Sequence, residues 1–354
     1  MNLRLKSLYL ELKKKKLDGL ILSSCANISY LLGFLSRDSY LLVSKKKNIY
    51  FTDSRYTDEV SPFLKKDNVL LIKTGGSALE SIGTACKDLK LKKIGFEEDT
   101  LSCLRYKRLR SALGSRVRLK PSGSLVEGQR QIKDASEIGE IKEALRITGL
   151  ALKFAKKIIR PGKREIEIAG ELERFIRYQG ADNAAFEIIV ASGPNSSYPH
   201  HAPGKRKVRI NEPVLLDIGV EYQGYKSDLT RVYFLGKINF LVRKVWDIVA
   251  KAQDLAIKEI RPGVKIAEID RVSRDFIARQ GYGRNFGHNL GHGVGLQIHE
   301  APSISPGASG VLKPGMVFTL EPAVYLTGRF GIRIEDMVLV TKKGCEVLSG
   351  FINQ

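Results

Sequence analysis

Only five of the 354 residues are histidine and only four are cysteine. Cys25, Cys86, Cys103 and Cys345 stand far apart, so the close pairs that build a disulfide framework or a zinc finger are missing. No apolar run approaches the roughly 20 residues that a membrane helix needs. Residues 1–16 read as a basic amphipathic helix through Leu3, Leu5, Leu8, Leu10 and Leu12, without the apolar block of a signal peptide. These absences lead us to expect a cytoplasmic protein with no membrane partner. The net charge is +21, and most of the excess lies early: residues 1–125 carry 25 Lys and Arg against 12 Asp and Glu, residues 126–354 carry 34 against 26. The lysine runs at 13–16 and 45–47 have no interleaved aromatics and belong to no nucleic-acid module, so a solvated surface is expected in preference to a nucleic-acid partner.

What is present is enough chain for two well-buried domains. Residues 1–125 alternate short apolar strands (19–23, 40–43, 49–52, 69–72, 93–96 and 117–120) with helical spacing such as 77–89 and 101–113, which predicts a small α/β domain. Residues 121–124, Pro-Ser-Gly-Ser, read as a linker. Asp134 with Glu137 three residues on predicts a capped helix start, the helix running to about 159. From there the sequence repeats itself. Ile-Arg-Pro-Gly at 159–162 recurs at 260–263, and Gln179-Gly180 recurs as Gln280-Gly281, both at an offset of 101 residues. His200-His201-Ala202-Pro203 is echoed by His299-Glu300-Ala301-Pro302, two residues short of that offset. Three ordered matches predict a duplicated unit with internal symmetry, pairing His200 with His299 across one cavity.

Three of the five histidines, His288, His292 and His299, fall within residues 287–300, among glycines at 287, 291, 293 and 295. Strict strand alternation would point His292 and His299 to opposite faces, so a kink or bulge between them is required if both serve one site.

The carboxylates carry the second signal. Two strands joined near Tyr222-Gln223-Gly224 put Asp217 opposite Asp228 if the turn is Tyr222-Gln223, or diagonal to it if the turn lies one residue later. Two further strands around a loop centred on 328 place Glu321 and Glu335 symmetrically, seven residues to either side. Like charges at ~4 Å repel by roughly 4 kcal/mol at an effective dielectric of ~20. A shared proton could relieve one pair; four carboxylates among apolar neighbours, with His292 available, call for divalent cations. Such an oxygen-rich set with one imidazole suits two ions of the Mn²⁺, Co²⁺ or Fe²⁺ kind, with Zn²⁺ also allowed.

Pro199-His200, the Leu-Asp-Ile-Gly at 216–219, the Ser-Asp-Leu-Thr-Arg at 227–231, the Gly-His-Gly-Val-Gly at 291–295, the Ile-His-Glu at 298–300, Leu320-Glu321-Pro322 and the Ile-Arg-Ile-Glu-Asp at 332–336 together resemble the pita-bread metallopeptidases, in the Xaa-Pro aminopeptidase and prolidase branch. The resemblance covers essentially the whole chain. It implies an α+β protein: a creatinase-like α/β domain over 1–125, then a pseudo-twofold catalytic domain over 126–354, a curved antiparallel sheet covered by helices. It implies two divalent ions, manganese first, held by Asp217, Asp228, His292, Glu321 and Glu335, with Asp228 and Glu335 bridging. Glu321 would also shuttle the proton, His299 would donate to the scissile carbonyl, and His200 would stabilise the intermediate. Arg333 would orient a carboxylate or the substrate end, with His288 behind. Phe186 falls where a wall for a proline ring is expected, and His201 has no role. The implied activity is removal of an N-terminal residue preceding proline, by a homodimer acting on peptides with proline second. An Xaa-Pro dipeptidase is the alternative, and a non-catalytic peptide- or nucleic-acid-binding relative is a third reading.

Overall fold

The computed structural model describes residues 2–352, and the chain divides into two compact units, Met1–Arg130 and Gln131–Gln354. In the first, helix Leu3–Lys14 buries Leu5, Leu8 and Leu12 and leaves Leu3 and Leu10 exposed. The spacing of three and four residues decides which of its leucines face inward. Six strands follow: β1 Gly19–Leu22, β2 Tyr40–Ser44, β3 Ile49–Thr52, β4 Leu70–Lys73, β5 Lys93–Phe96 and β6 Arg118–Pro121. They form one sheet in the order β4-β3-β2-β1-β5-β6. Helices Ala78–Asp88 and Cys103–Leu113 run close to the spans read from the sequence. Three other helices, Cys25–Leu32, Thr57–Lys66 and Leu125–Arg130, escaped that reading. The first is buried at six of eight positions and so shows no amphipathic stripe, and the second carries Pro62 inside it.

The second unit opens with the capping box: the Asp134 side chain accepts from Glu137 N, and the Glu137 side chain accepts from Asp134 N. Helix Ala135–Ile158 then leads into helix Glu165–Tyr178, and helix Phe240–Glu259 into helix Ile266–Arg279. Both helix pairs end 101 residues apart, and the turn glycines Gly162 and Gly263 share φ 87°, a left-handed value that glycine adopts without strain. Each half has its own apolar core. One is built chiefly from the first helix pair and strands Ile189–Ser192 and Pro213–Ile218, the other from the second pair with Val317–Leu320, Phe330–Arg333 and Asp336–Val340. Among the described residues, no helix is long and apolar enough to cross a membrane.

Of the four strands read from the sequence around the acids, 214–219 runs unbroken as Pro213–Ile218, and the other three are interrupted. The strand read at 225–234 breaks at Ser227-Asp228, that at 316–325 at Glu321-Pro322 and that at 330–340 at Ile334-Glu335. Each of these three breaks holds one of the acidic residues singled out above.

Candidate metal centre and its cavity

The first acidic pair rests on an antiparallel hairpin whose two-residue turn is Gln223-Gly224, both at positive φ. This is the later of the two turns weighed above, so Asp217 stands opposite Thr230 and only diagonal to Asp228. In the second hairpin, Ala323 pairs with Arg333 and Leu320 with Asp336, a register centred on residue 328 that leaves Glu321 and Glu335 symmetric about it. The histidine strand Gly291–Gly293 shifts register between His292 and Gly293, and the shift brings His292 and His299 together, their ring centroids 4.3 Å apart.

These segments converge on one cavity of about 760 Å³. Asp217, Asp228, Glu321, Glu335, His200, His201, His288, His292, His299, Arg333 and Phe186 all line it, so every candidate side chain reaches the same space. His292 Nε2 lies 3.5 Å from Asp228 Oδ2 and 3.6 Å from Glu321 Oε1. Asp228, His292 and Glu335 each present a donor atom within 4.8 Å of the others, a spacing that could hold a metal ion. Arg333 makes four hydrogen bonds: it donates to Asp217 Oδ2 at 2.6 Å, Thr230 Oγ1 at 3.0 Å, the Tyr325 hydroxyl at 2.7 Å and Pro199 O at 3.2 Å. It therefore holds the Asp217 carboxylate, the first of the two roles weighed for it.

The electrostatics follow from burial. Desolvation first, then Glu335 and Asp217, pushes the Asp228 carboxyl far above the ordinary range. Desolvation, then Glu321 and Asp217, does the same to Glu335. Burial raises Glu321 to about 8 against the pull of Arg333. Burial also lowers His292 and His288 to about 4, so both imidazoles are neutral near pH 7 and keep a lone pair for a ligand or a partner. Among the described residues, the buried Asp217 Oδ1 has no hydrogen-bond partner. A buried carboxylate oxygen left unpaired is costly. Together with four acids balanced by one arginine, it fits a site built for cations, and the oxygen-rich donor set with one neutral imidazole fits divalent ones.

Three contributors were not legible beforehand. Tyr325, buried, accepts from Arg333 and meets His288 Nε2 at 3.2 Å. Thr230 donates to Glu335 Oε2 at 2.8 Å while accepting from Arg333. His201, which had no assigned role, contacts the buried Glu165 carboxylate at 2.9 Å. Glu165 also accepts from Ser192 N and Ser192 Oγ, both at 2.7 Å, and from Gly204 N. The alternation of Thr230 with Asp228 along one strand was the available signal for the threonine; nothing in the sequence links Glu165 to His201.

A buried acid cluster with a neutral imidazole, set across two symmetric halves, defines a metallopeptidase. The chain belongs to metallopeptidase family M24, whose sequence model matches residues 139–342, and the creatinase/prolidase N-terminal domain matches residues 4–132. Among solved structures, an Xaa-Pro dipeptidase from Bacillus anthracis is 36% identical, with a TM-score of 0.93 over 98% of this chain and 97% of that one. An X-Pro aminopeptidase from Thermotoga maritima is also 36% identical, with a TM-score of 0.87 and the same coverage. The Xaa-Pro dipeptidase of Pyrococcus horikoshii is 31% identical over 99% of this chain and 97% of its own length. The protein is thus a metallo-exopeptidase with the pita-bread catalytic fold, and its family works with divalent metals.

Proposed function

We propose that this chain is an Xaa-Pro dipeptidase, hydrolysing the bond between any first residue and a C-terminal proline. The convergence of Asp217, Asp228, His292, Glu321 and Glu335 on one cavity carries the hydrolytic reading. The names of the relatives weigh toward the dipeptidase over the aminopeptidase that the sequence put first. The aminopeptidase stays as the second reading because of the Thermotoga enzyme.

In this reading the five donors hold two divalent ions, which when bound supply Lewis-acid polarisation and a nucleophile at neutral pH. Glu321, lining the cavity beside the other donors, accepts the proton released on attack and passes it to the departing proline nitrogen. His299, neutral and exposed to the cavity beside His292, donates an N–H to the carbonyl oxygen as charge develops there. His200 faces the same space and steadies the intermediate, while Arg333 and Thr230 hold Asp217 and Glu335 in aim. His288 supports this arrangement through Tyr325, and Phe186 forms an apolar wall for the proline ring. Residues 1–125 act as the accessory domain and 126–354 as the catalytic one. Manganese as the resident ion, a homodimeric state and a cytoplasmic setting belong to the same proposal; elemental analysis, mass in solution and cell fractionation read them.

The deciding assay supplies purified protein with Mn²⁺ or Co²⁺ and compares Xaa-Pro dipeptides with Xaa-Pro-Yaa tripeptides. Proline release from dipeptides alone supports the proposal. Loss of the first residue from tripeptides at equal or greater rate moves the chain to the aminopeptidases, and no cleavage of either with both metals sinks the reading.

A further inference from the structure

The turn that delivers His299 is fastened from beneath by an ion pair that takes no direct part in the chemistry above. Lys133 Nζ donates to Glu300 Oε1 at 2.8 Å, with only 1% of the lysine side chain and 5% of the glutamate side chain exposed. Few charges are buried this deeply without a task, because desolvating both ions costs about as much as their attraction returns.

Both partners are tied to structure that fixes the turn. Lys133 N donates to Gly315 O at 2.8 Å, and Ile132 bridges Met316, so the lysine departs from backbone stitched to the entry of strand Val317–Leu320. The Glu300 carboxylate folds back over its own turn, where Oε2 accepts from Gln297 N at 3.3 Å. Gly295 lies directly against it: a Cβ at that position would sit 2.5 Å from Glu300 Oε1, so a side chain there would push the carboxylate from its seat. Gly295 O in turn accepts from Lys226 N, next to the Ser227-Asp228 strand break. The turn 295–300 is therefore closed around one carboxylate, and that carboxylate is paired with Lys133.

His299 immediately precedes Glu300. Among the described residues, no hydrogen bond holds the His299 ring; it is placed by its backbone and by edge contact with His292. Whatever fixes the backbone at Glu300 thus fixes where His299 points.

We infer that the Lys133–Glu300 ion pair is a positioning pair that sets the direction in which His299 faces the cavity. The inference rests on the reading of His299 as the donor to the substrate carbonyl. Neither Lys133 nor Glu300 is assigned a contact with substrate or metal.

The test uses the full-length, metal-loaded enzyme and an Xaa-Pro dipeptide, with Glu300→Gln, the uncharged pair Lys133→Met/Glu300→Gln, His299→Ala and Glu300→Gln/His299→Ala. The uncharged pair removes both charges together and so avoids stranding one of them in the interior. The expected result is two metals per chain and cooperative unfolding in every variant, kcat lowered about tenfold or more in the two pair variants with KM changed by less than about threefold, since sub-ångström misplacement of a catalytic group costs rate more than binding. Adding Glu300→Gln to His299→Ala should then produce no further loss, because the aim of an absent ring cannot matter. Unchanged kcat in the pair variants, or losses that multiply in the combined variant, overturn the inference while leaving His299 in place. An unaffected His299→Ala enzyme instead overturns the reading of His299 beneath it. If neither pair variant retains a cooperative transition, the pair is a folding clamp and the positioning inference fails.

Discussion

The two halves of the catalytic unit share a scaffold and differ in chemistry. Their helix pairs end 101 residues apart and turn on glycines of identical φ, yet one half contributes two aspartates and the other two glutamates with the histidine strand. Each half also pins its histidine segment with a buried acid near the start of its second helix, by different means. In the first, Glu165 accepts from Ser192, Gly204 and Asn195 and contacts His201. The position 101 residues later is Ile266, buried and apolar. There the acid lies one turn further on: Asp270 accepts Leu290 N at 3.0 Å and pairs with Arg274, which donates to Phe286 O and His288 O. Duplication preserved the turns and the packing, which depend on a few glycines and an apolar stripe, while the polar anchors diverged because any buried acceptor close to the loop can do the task.

The largest expected effect comes from removing what the halves hold jointly. Asp228→Ala should reduce metal-dependent turnover to background and lower the metal content, since it takes one carboxylate from the cluster with His292 and Glu335. Elemental analysis finding two ions per chain in that variant would contradict the assignment of Asp228.

Next come the anchors. Asp270→Ala should cost about 3 kcal/mol in denaturant unfolding, because it leaves Leu290 N unpaired and breaks a pair in which the aspartate is wholly buried. Glu165→Gln should cost less, about 1–2 kcal/mol, because the amide oxygen still accepts from Ser192. Equal costs would mean that the two anchors are equivalent after all.

For the ring facing the carbonyl, His299→Ala should retain metal and lose turnover by about 10²-fold, or ~2.7 kcal/mol of transition-state stabilisation. His200→Ala should act in the same direction, so steady-state kinetics of both would show how evenly the halves share the task.

The smallest effects are in pH. Hydrogen bonds from Ser192, His201 and Asn195 outweigh burial and hold Glu165 below its ordinary value of 4.5. Its contribution is therefore present above that value and lost as pH falls through the lower folded value, and Glu165→Gln should flatten the acid limb of the stability curve. The chelated enzyme should show the opposite slope from the second half. Glu321 binds its proton more tightly folded, at about 8 against 4.5, so stability is complete below 4.5 and declines as pH rises toward 8. Thermal unfolding in EDTA from pH 4 to 9 reads this, and a flat profile would count against a raised Glu321 carboxyl.

Much of the fold was legible because it rests on local rules. The repeat at 101 residues, the Asp134–Glu137 capping box and the strand spacing of residues 1–125 all express backbone geometry that the chain writes out directly. Helix Cys25–Leu32 was hidden because burial on every side erases the amphipathic signal. The acids and histidines of the site were legible as types, since ionisable groups among apolar strand residues are costly and conspicuous.

Sequence alone determined which residues could bear the chemistry and that two hairpins would present the acids. Only the tertiary structure decided that the first hairpin turns at Gln223-Gly224, setting Asp217 diagonal to Asp228, and that Arg333 is spent on Asp217. It alone joined Glu165 to His201 and Lys133 to Glu300, partners 36 and 167 residues apart. Spacing along a strand follows from bond geometry, whereas a hydrogen bond between distant residues exists only after the halves have packed and excluded the water that would otherwise satisfy both groups.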